Sequence, residues 1–287
     1  MSDLGTLHHD LYFQRMAASL GDKMRLVAHL RPGAVLDLGC GDGVLLAALA
    51  GLGYTGVGVD ASPEAVDRAE AKLSGVGVPV VQADLTRASE LLAALEGRRF
   101  ENVIASSVLH EVVSYGSRQA QDELLHAVGT LLAPGGRFLV RDGVGPAEPD
   151  EHWRFTPASP DALAFLDAWR AMSTPATQAL LADLSVDGSG RIHGPARSVT
   201  EFCFTYVWGW GSLPREGSEW YTVAGTAADF AANVERASLT RLTHLESYLQ
   251  DGYRTHLDEL GSLDAETRDG FRPAPWPDSN ALWVFER

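Results

Sequence analysis

Cysteine is scarce in this chain: 287 residues contain two, Cys40 and Cys203. A single pair provides neither a disulfide framework nor a cysteine metal cluster. Long apolar runs are also missing, and none approaches the roughly 18 residues a membrane span needs. The opening Met1-Ser2-Asp3-Leu4-Gly5 has no basic start followed by an apolar stretch, so no secretory signal is expected and a cytoplasmic location follows most simply. Positive charge is in short supply as well. Only 23 Lys and Arg stand against 38 Asp and Glu, for a net charge of -15. Such a surface repels polyanions. Sequence-independent nucleic-acid binding relies on Lys and Arg neutralising phosphates, so RNA and DNA are disfavoured as partners unless a local basic patch exists. There are no internal repeats or low-complexity segments. Apolar residues, at 45% of the chain, are numerous enough for a proper core. The length suits one large domain, or a core domain with a sizeable insertion.

The stretch Val35-Leu36-Asp37-Leu38-Gly39-Cys40-Gly41-Asp42-Gly43 is a short apolar run, an acid, and then glycine at every second position. A buried parallel strand ending in a turn that brings a ligand close to bare backbone has this pattern. Val44 stands where the dinucleotide fingerprint requires its third glycine, which points away from NAD and towards another adenosine cofactor.

Periodicity arranges the rest of the first half. Leu11, Phe13, Met16, Leu20, Met24 and Val27 recur at helical spacing before Pro32-Gly33 breaks the chain. Strands are expected at 34–38, 56–60, 78–82, 100–106 and 137–142, and helices at 44–52, from 63, at 88–95 and at 119–132. Ser62-Pro63-Glu64 has the N-cap and first-turn proline of a helix start. Strands alternating with helices in this way indicate a parallel, doubly wound α/β sheet. From about 145 to 225 the alternation stops: helix starts at Ser159-Pro160 and Thr174-Pro175, and a capping box at Ser198-Val199-Thr200-Glu201, appear without a convincing parallel strand. Helix signal resumes at 227–237, a strand is expected at 239–249, a polar proline-rich stretch follows, and 281–286 forms a final strand.

Acids and glycines fall at successive strand ends: Asp37-Leu38-Gly39-Cys40-Gly41-Asp42-Gly43 after the first, Asp60 after the second, Gln82-Ala83-Asp84-Leu85 after the third, and Ser106-Ser107-Val108-Leu109-His110-Glu111 after the fourth. Leu132-Ala133-Pro134-Gly135-Gly136 precedes the fifth. As a set these resemble the class I S-adenosylmethionine-dependent methyltransferases over residues 33 to 145 and, more weakly, 226 to 287. The resemblance implies a Rossmann-like sheet of seven strands with the last antiparallel, and S-adenosylmethionine as cofactor. It implies that Gly39, Cys40 and Gly41 lie against the cofactor. It also implies that Asp60, with Ala61 beside it, meets the ribose hydroxyls, that Asp84 receives the adenine amino group with the Leu85 backbone alongside, and that Ser106 borders the site. Asp37 would orient the glycine turn or meet the methionine ammonium through water. Residues 1–32 are expected to form a helical lid, with Tyr12 and Arg15 closing over the cofactor. Residues 33–145 and 226–287 form the core in this reading, and 146–225 a mostly helical substrate cap inserted after the fifth strand.

Methyl transfer to a neutral oxygen or nitrogen calls for positioning and, for some acceptors, a base. His110, Glu111 and Tyr115 follow the fourth strand, where this fold meets its substrate, and the ordinary histidine pKa suits proton transfer near neutrality. His110 could equally orient the next helix. In the insertion, Phe202, Phe204, Tyr206, Trp208 and Trp210 occupy alternate positions. The capping box at Ser198 favours a helix, with Phe202, Tyr206 and Trp210 as an i, i+4 stripe. Tyr206, Trp208 and Trp210 are the candidates for an aromatic-lined acceptor pocket, with Arg215 for an acceptor anion; ordinary packing of the cap explains any one of the aromatics as well. No metal ligand is expected. A small, aromatic or apolar acceptor is the leading reading. RNA or protein methylation, and a cofactor-binding module without catalysis, are alternatives; a nicotinamide dehydrogenase fits least.

Overall fold

A computed structural model describes residues 20–287. Most of the expected N-terminal lid, including Tyr12 and Arg15, lies outside the described residues. Its last part forms a helical turn over Leu20–Lys23 and a 3-10 turn over Met24–His29. The strands in chain order are β1 (Ala34–Leu38), β2 (Thr55–Asp60), β3 (Val80–Gln82), β4 (Phe100–Ser106), β5 (Leu132–Gly143), β6 (His152–Pro157), β7 (Ser185–Val186), β8 (Ile192–Pro195), β9 (Arg241–Tyr248), β10 (Gly261–Thr267), β11 (Gly270–Pro273) and β12 (Asn280–Glu286). Among the described residues the chain divides into two units. The first runs to Asp142 and includes Ala231–Glu246 and Leu282–Arg287; the second comprises Gly143–Phe230 and Ser247–Ala281.

The first unit is built on a seven-stranded sheet of order β3-β2-β1-β4-β5-β12-β9. β1 pairs in parallel with β2 on one side and β4 on the other, and Val35, Leu36 and Leu38 are buried. A continuous apolar strand is what a central position covered on both faces requires. β2 with β3 and β4 with β5 are also parallel. β12 runs the other way: Arg287 N–H donates to the Gly136 carbonyl while Val144 N–H donates to that of Ser279, so numbers rise along β5 as they fall along β12. The helices start where the local signals place them. Ser62 Oγ accepts from Ala65 N–H and Pro63 opens the helix Pro63–Leu73. Ser117 Oγ accepts from Ala120 N–H at the start of Arg118–Leu131, which buries Leu124, Leu125, Val128 and Leu131. The order of strands reverses between β1 and β4, and in open α/β sheets ligands bind outside the strand carboxyl ends at such a switch point.

The second unit departs from the expected helical insertion. It has helices at Asp161–Met172, Pro175–Ala182, Ala196–Tyr206 and Asp251–Leu260, but also a five-stranded sheet of order β11-β10-β6-β8-β7 whose neighbours are antiparallel. It also takes residues 247–281, which were expected in the core; the stretch read as polar and proline-rich holds a helix and the β10–β11 hairpin. The physical reason is the period of these strands. In β6, Trp153 and Phe155 are buried while His152 and Arg154 alternate with them on the outer face. Such half-buried strands carry no continuous apolar run, so a search for parallel strands passes over them.

Candidate functional site

The glycine turn after β1 takes its shape from backbone conformations that favour glycine. Gly39, Gly41 and Gly43 have φ of +70°, +54° and +76°. At Gly39 an added Cβ would meet Val108 Cγ2 at 2.5 Å, so glycine here lets the segment after β4 close onto the turn. At Gly41 an added Cβ would meet none of the described residues within 4 Å, which makes Gly41 the open side of the cradle they form. Asp60, at the end of β2, ties the turn to its neighbour: Oδ2 accepts from Gly41 N–H at 2.8 Å and Oδ1 from Ser62 N–H at 2.9 Å. A carboxylate has about four lone-pair sites, so two remain for further donors. Ala61 is exposed and its carbonyl accepts from Gln82 Nε2. Asp84 Oδ1 accepts from the Thr86 N–H and hydroxyl, closing a turn around buried Leu85.

Beneath the turn, Asp37 is buried, and burial with help from Asp60 pushes its carboxyl up to about 7 against the opposing field of Lys23. Lys23 is itself buried and its pKa is lowered, chiefly by that burial. Cys40 is buried and its thiol pKa is raised, first by burial and then by Asp37 and Asp60, so it fills space rather than serving as a nucleophile.

The segment after β4 carries His110. His110 Nδ1 lies 2.6 Å from Asp142 Oδ1, and Asp142 Oδ2 accepts from the N–H groups of Leu109 at 2.8 Å and His110 at 3.2 Å. One carboxylate thus caps the short helix Leu109–Glu111 and fixes the imidazole. A neutral His110 donating from Nδ1 keeps its proton-accepting lone pair on Nε2. Ser106 Oγ is buried with no hydrogen-bond partner among the described residues. A π-helical turn follows over Val112–Gly116, a rare distortion frequent at functional sites. Glu111 is half-buried beside His110, whereas Tyr115 is 57% exposed. Asp142 was missed by the sequence reading. Its signal was present: the fifth strand, like the second, ends in an acid.

A sequence profile described as a methyltransferase domain matches residues 11–194. The chain belongs to the class I S-adenosylmethionine-dependent methyltransferase family. The ubiquinone biosynthesis O-methyltransferase of Burkholderia orbicola (strain MC0-3) is 35% identical over 109 residues, which are 38% of this chain and 44% of that protein. The chain therefore spans less than half the length of the curated relatives it matches. An S-adenosylmethionine-dependent methyltransferase from Mesorhizobium loti shares 19% identity over 92% of this chain and 96% of its own, with a TM-score of 0.52. The CcbJ methyltransferase from Streptomyces caelestis shares 16% over 93% and 88%, with a TM-score of 0.50. At these identities the likeness is one of fold.

The first unit of the chain fits the cofactor that its family uses. Among the described residues, the open cradle at Gly41, the two remaining lone-pair positions on Asp60 and the unpartnered Ser106 hydroxyl are features such a ligand would satisfy. The aromatic residues of the second unit are mostly committed to its own core. Helix Ala196–Tyr206 forms, but it starts after Pro195 rather than at a Ser198 cap. Ala196 and Arg197 N–H donate to the carbonyls of Glu151 and Pro149, so no side-chain cap is needed. Glu201 serves elsewhere: it is buried and accepts from Tyr221 N–H, Thr222 N–H and the Thr222 hydroxyl. Phe202 and Tyr206 stack at 5.6 Å, and Phe165 packs on Tyr206 and Trp210 at 4.9 and 5.3 Å. Trp208 Nε1 donates to the Tyr253 hydroxyl. Trp210, at 44% the most exposed of the five aromatics, donates to Asp161. Arg215 Nε lies 3.6 Å from Glu219, on the same short stretch.

Proposed function

We propose that the methyltransferase transfers a methyl group to an oxygen nucleophile on a small molecule, with His110 as the general base. One observation carries the reading: a buried imidazole whose Nδ1 lies 2.6 Å from the carboxylate of Asp142, on the segment that packs against the glycine turn. When bound, S-adenosylmethionine supplies an electrophilic methyl on a sulfonium. His110 Nε2 takes the acceptor's hydroxyl proton as the oxygen attacks, and Asp142 fixes the ring and offsets the imidazolium charge. Asp60 and the glycine turn hold the donor so that the two reactants meet in line. Oxygen is favoured over nitrogen because the Burkholderia relative is named an O-methyltransferase. The net charge of -15 favours a small acceptor over a nucleic acid. Within the second unit Trp210 is the most accessible of the candidate aromatics Tyr206, Trp208 and Trp210, and Arg215 is the candidate for an acceptor anion.

The test is transfer of labelled methyl to a panel of phenols, catechols and amines. His110→Ala should lower turnover on the best phenolic acceptor by about 10²- to 10⁴-fold while S-adenosylhomocysteine affinity by calorimetry stays near wild type. Asp60→Ala should weaken that affinity strongly. Wild-type turnover in His110→Ala would remove it as the base, and labelling of amines alone would overturn the oxygen assignment.

A further inference from the structure

Ser107 stands in a conformation its side chain disfavours. It is not glycine, yet its φ is +56°, in the left-handed region that non-glycine residues enter only where their surroundings hold them. It occupies the one link between β4 and the helix Leu109–Glu111 that carries His110.

Two contacts hold it there, and both come from one residue. Ser107 N–H donates to the Arg141 carbonyl at 2.7 Å, and Arg141 Nη1 donates to Ser107 Oγ at 2.6 Å. Arg141 is buried, and its guanidinium is anchored by an ion pair with Asp22 on the helical turn Leu20–Lys23. The next residue along β5 is Asp142, which accepts from the Leu109 and His110 amides and from the imidazole. The last two residues of β5 in the first unit thus grip both ends of the segment Ser107–His110. Val108, between them, rests where a Cβ on Gly39 would be. After this left-handed residue Val108 meets the glycine turn and the next two amides donate to Asp142.

We propose that Arg141 is a positioning residue: anchored by Asp22, it holds Ser107 in the left-handed conformation that closes Val108 on Gly39 and sets His110 on Asp142. The inference rests on the reading of His110 as the base, but its geometry concerns the placement of the ring, which can be measured without an acceptor.

The experiment is proton NMR of the full chain with S-adenosylhomocysteine. The low-field His110 Nδ1 resonance expected of a short bond to a carboxylate is assigned by its loss in His110→Gln. In Arg141→Gln that resonance should disappear or move upfield. Adding Ser107→Gly should restore it, because glycine takes positive φ without a Cβ penalty and no longer needs the grip. An Arg141 that merely supported the fold would gain nothing from that second change. If Arg141→Gln does not fold, Ser107→Ala removes only the hydroxyl, and the resonance should shift or broaden in that variant. A wild-type resonance in Arg141→Gln, or in Ser107→Ala, or a failure of Ser107→Gly to restore it, overturns the proposal. Turnover is read on the same variants: Arg141→Gln should lose about tenfold and the double variant should regain it, equivalent to about 1.4 kcal/mol. Wild-type turnover in His110→Ala would sink the base while leaving the resonance result standing.

Discussion

At the scale of single residues, the first unit concentrates ionisable groups under its glycine turn. Lys23, Asp37, His110, Arg141 and Asp142 are all buried. Each is matched by a partner or shifted towards neutrality, as burial of charge requires. Asp37 gives a measurable consequence. Its carboxyl is raised to about 7, so the folded protein retains a proton there that the unfolded chain releases near pH 4. The stability from this group is complete below about pH 4 and is lost as pH rises through about 7. In denaturant melts at a series of pH values, Asp37→Asn should flatten that part of the profile; an unchanged slope would mean that Asp37 titrates normally. Gly39 and Gly41 show how one motif holds two requirements. Both have positive φ, but Gly39 makes room for Val108 while an added Cβ at Gly41 would meet none of the described residues within 4 Å.

At the scale of elements, helix Ala196–Tyr206 separates packing from recognition. Phe202 is fully buried and its ring lies within 6.5 Å of those of Phe155, Phe165, Trp169 and Tyr206. Phe202→Ala should cost about 3–5 kcal/mol in denaturant unfolding, the range for an aromatic deleted from a packed core. Trp210, half-exposed with one bond to Asp161, should cost about 1 kcal/mol or less. If Trp210 contacts the acceptor, Trp210→Ala should instead raise KM with little effect on melting. Equal losses of stability in the two variants would contradict this division. The stripe of Phe202, Tyr206 and Trp210 was legible because i, i+4 spacing is local, although Trp210 lies past the helix end. The capping box at Ser198 indicated the helix that forms but not its start, because the orphan amides of the first turn are satisfied from Pro149 and Glu151, far away in sequence.

At the scale of the whole molecule, the net charge of -15 means that like charges repel across the surface. Screening should relieve this: raising salt from about 10 mM to about 150 mM shortens the Debye length from about 30 Å to about 8 Å. A gain of about 1 kcal/mol, or about 2–4 °C in Tm, is expected in calorimetry. A fall in Tm would mean that surface ion pairs outweigh the repulsion.

The parallel sheet of the first unit, the glycine turn and the strand-end acids Asp60 and Asp84 were legible in the order of residues alone. These rest on local rules: continuous apolar runs, capping residues, and glycine where φ must be positive. The family membership follows from the same residues. The tertiary structure decided the rest. Asp142 and His110 lie far apart in sequence, and only the pairing of β4 with β5 brings them together. Arg141 reaches Ser107 by the same pairing, and Asp22 reaches Arg141 from the other side of the chain. The antiparallel sheet of the second unit was hidden because its strands are half-buried and β6 pairs with β8 and β10, both far from it in sequence. Contacts between residues distant in sequence leave no periodic trace, so they become visible only when the strands are laid side by side.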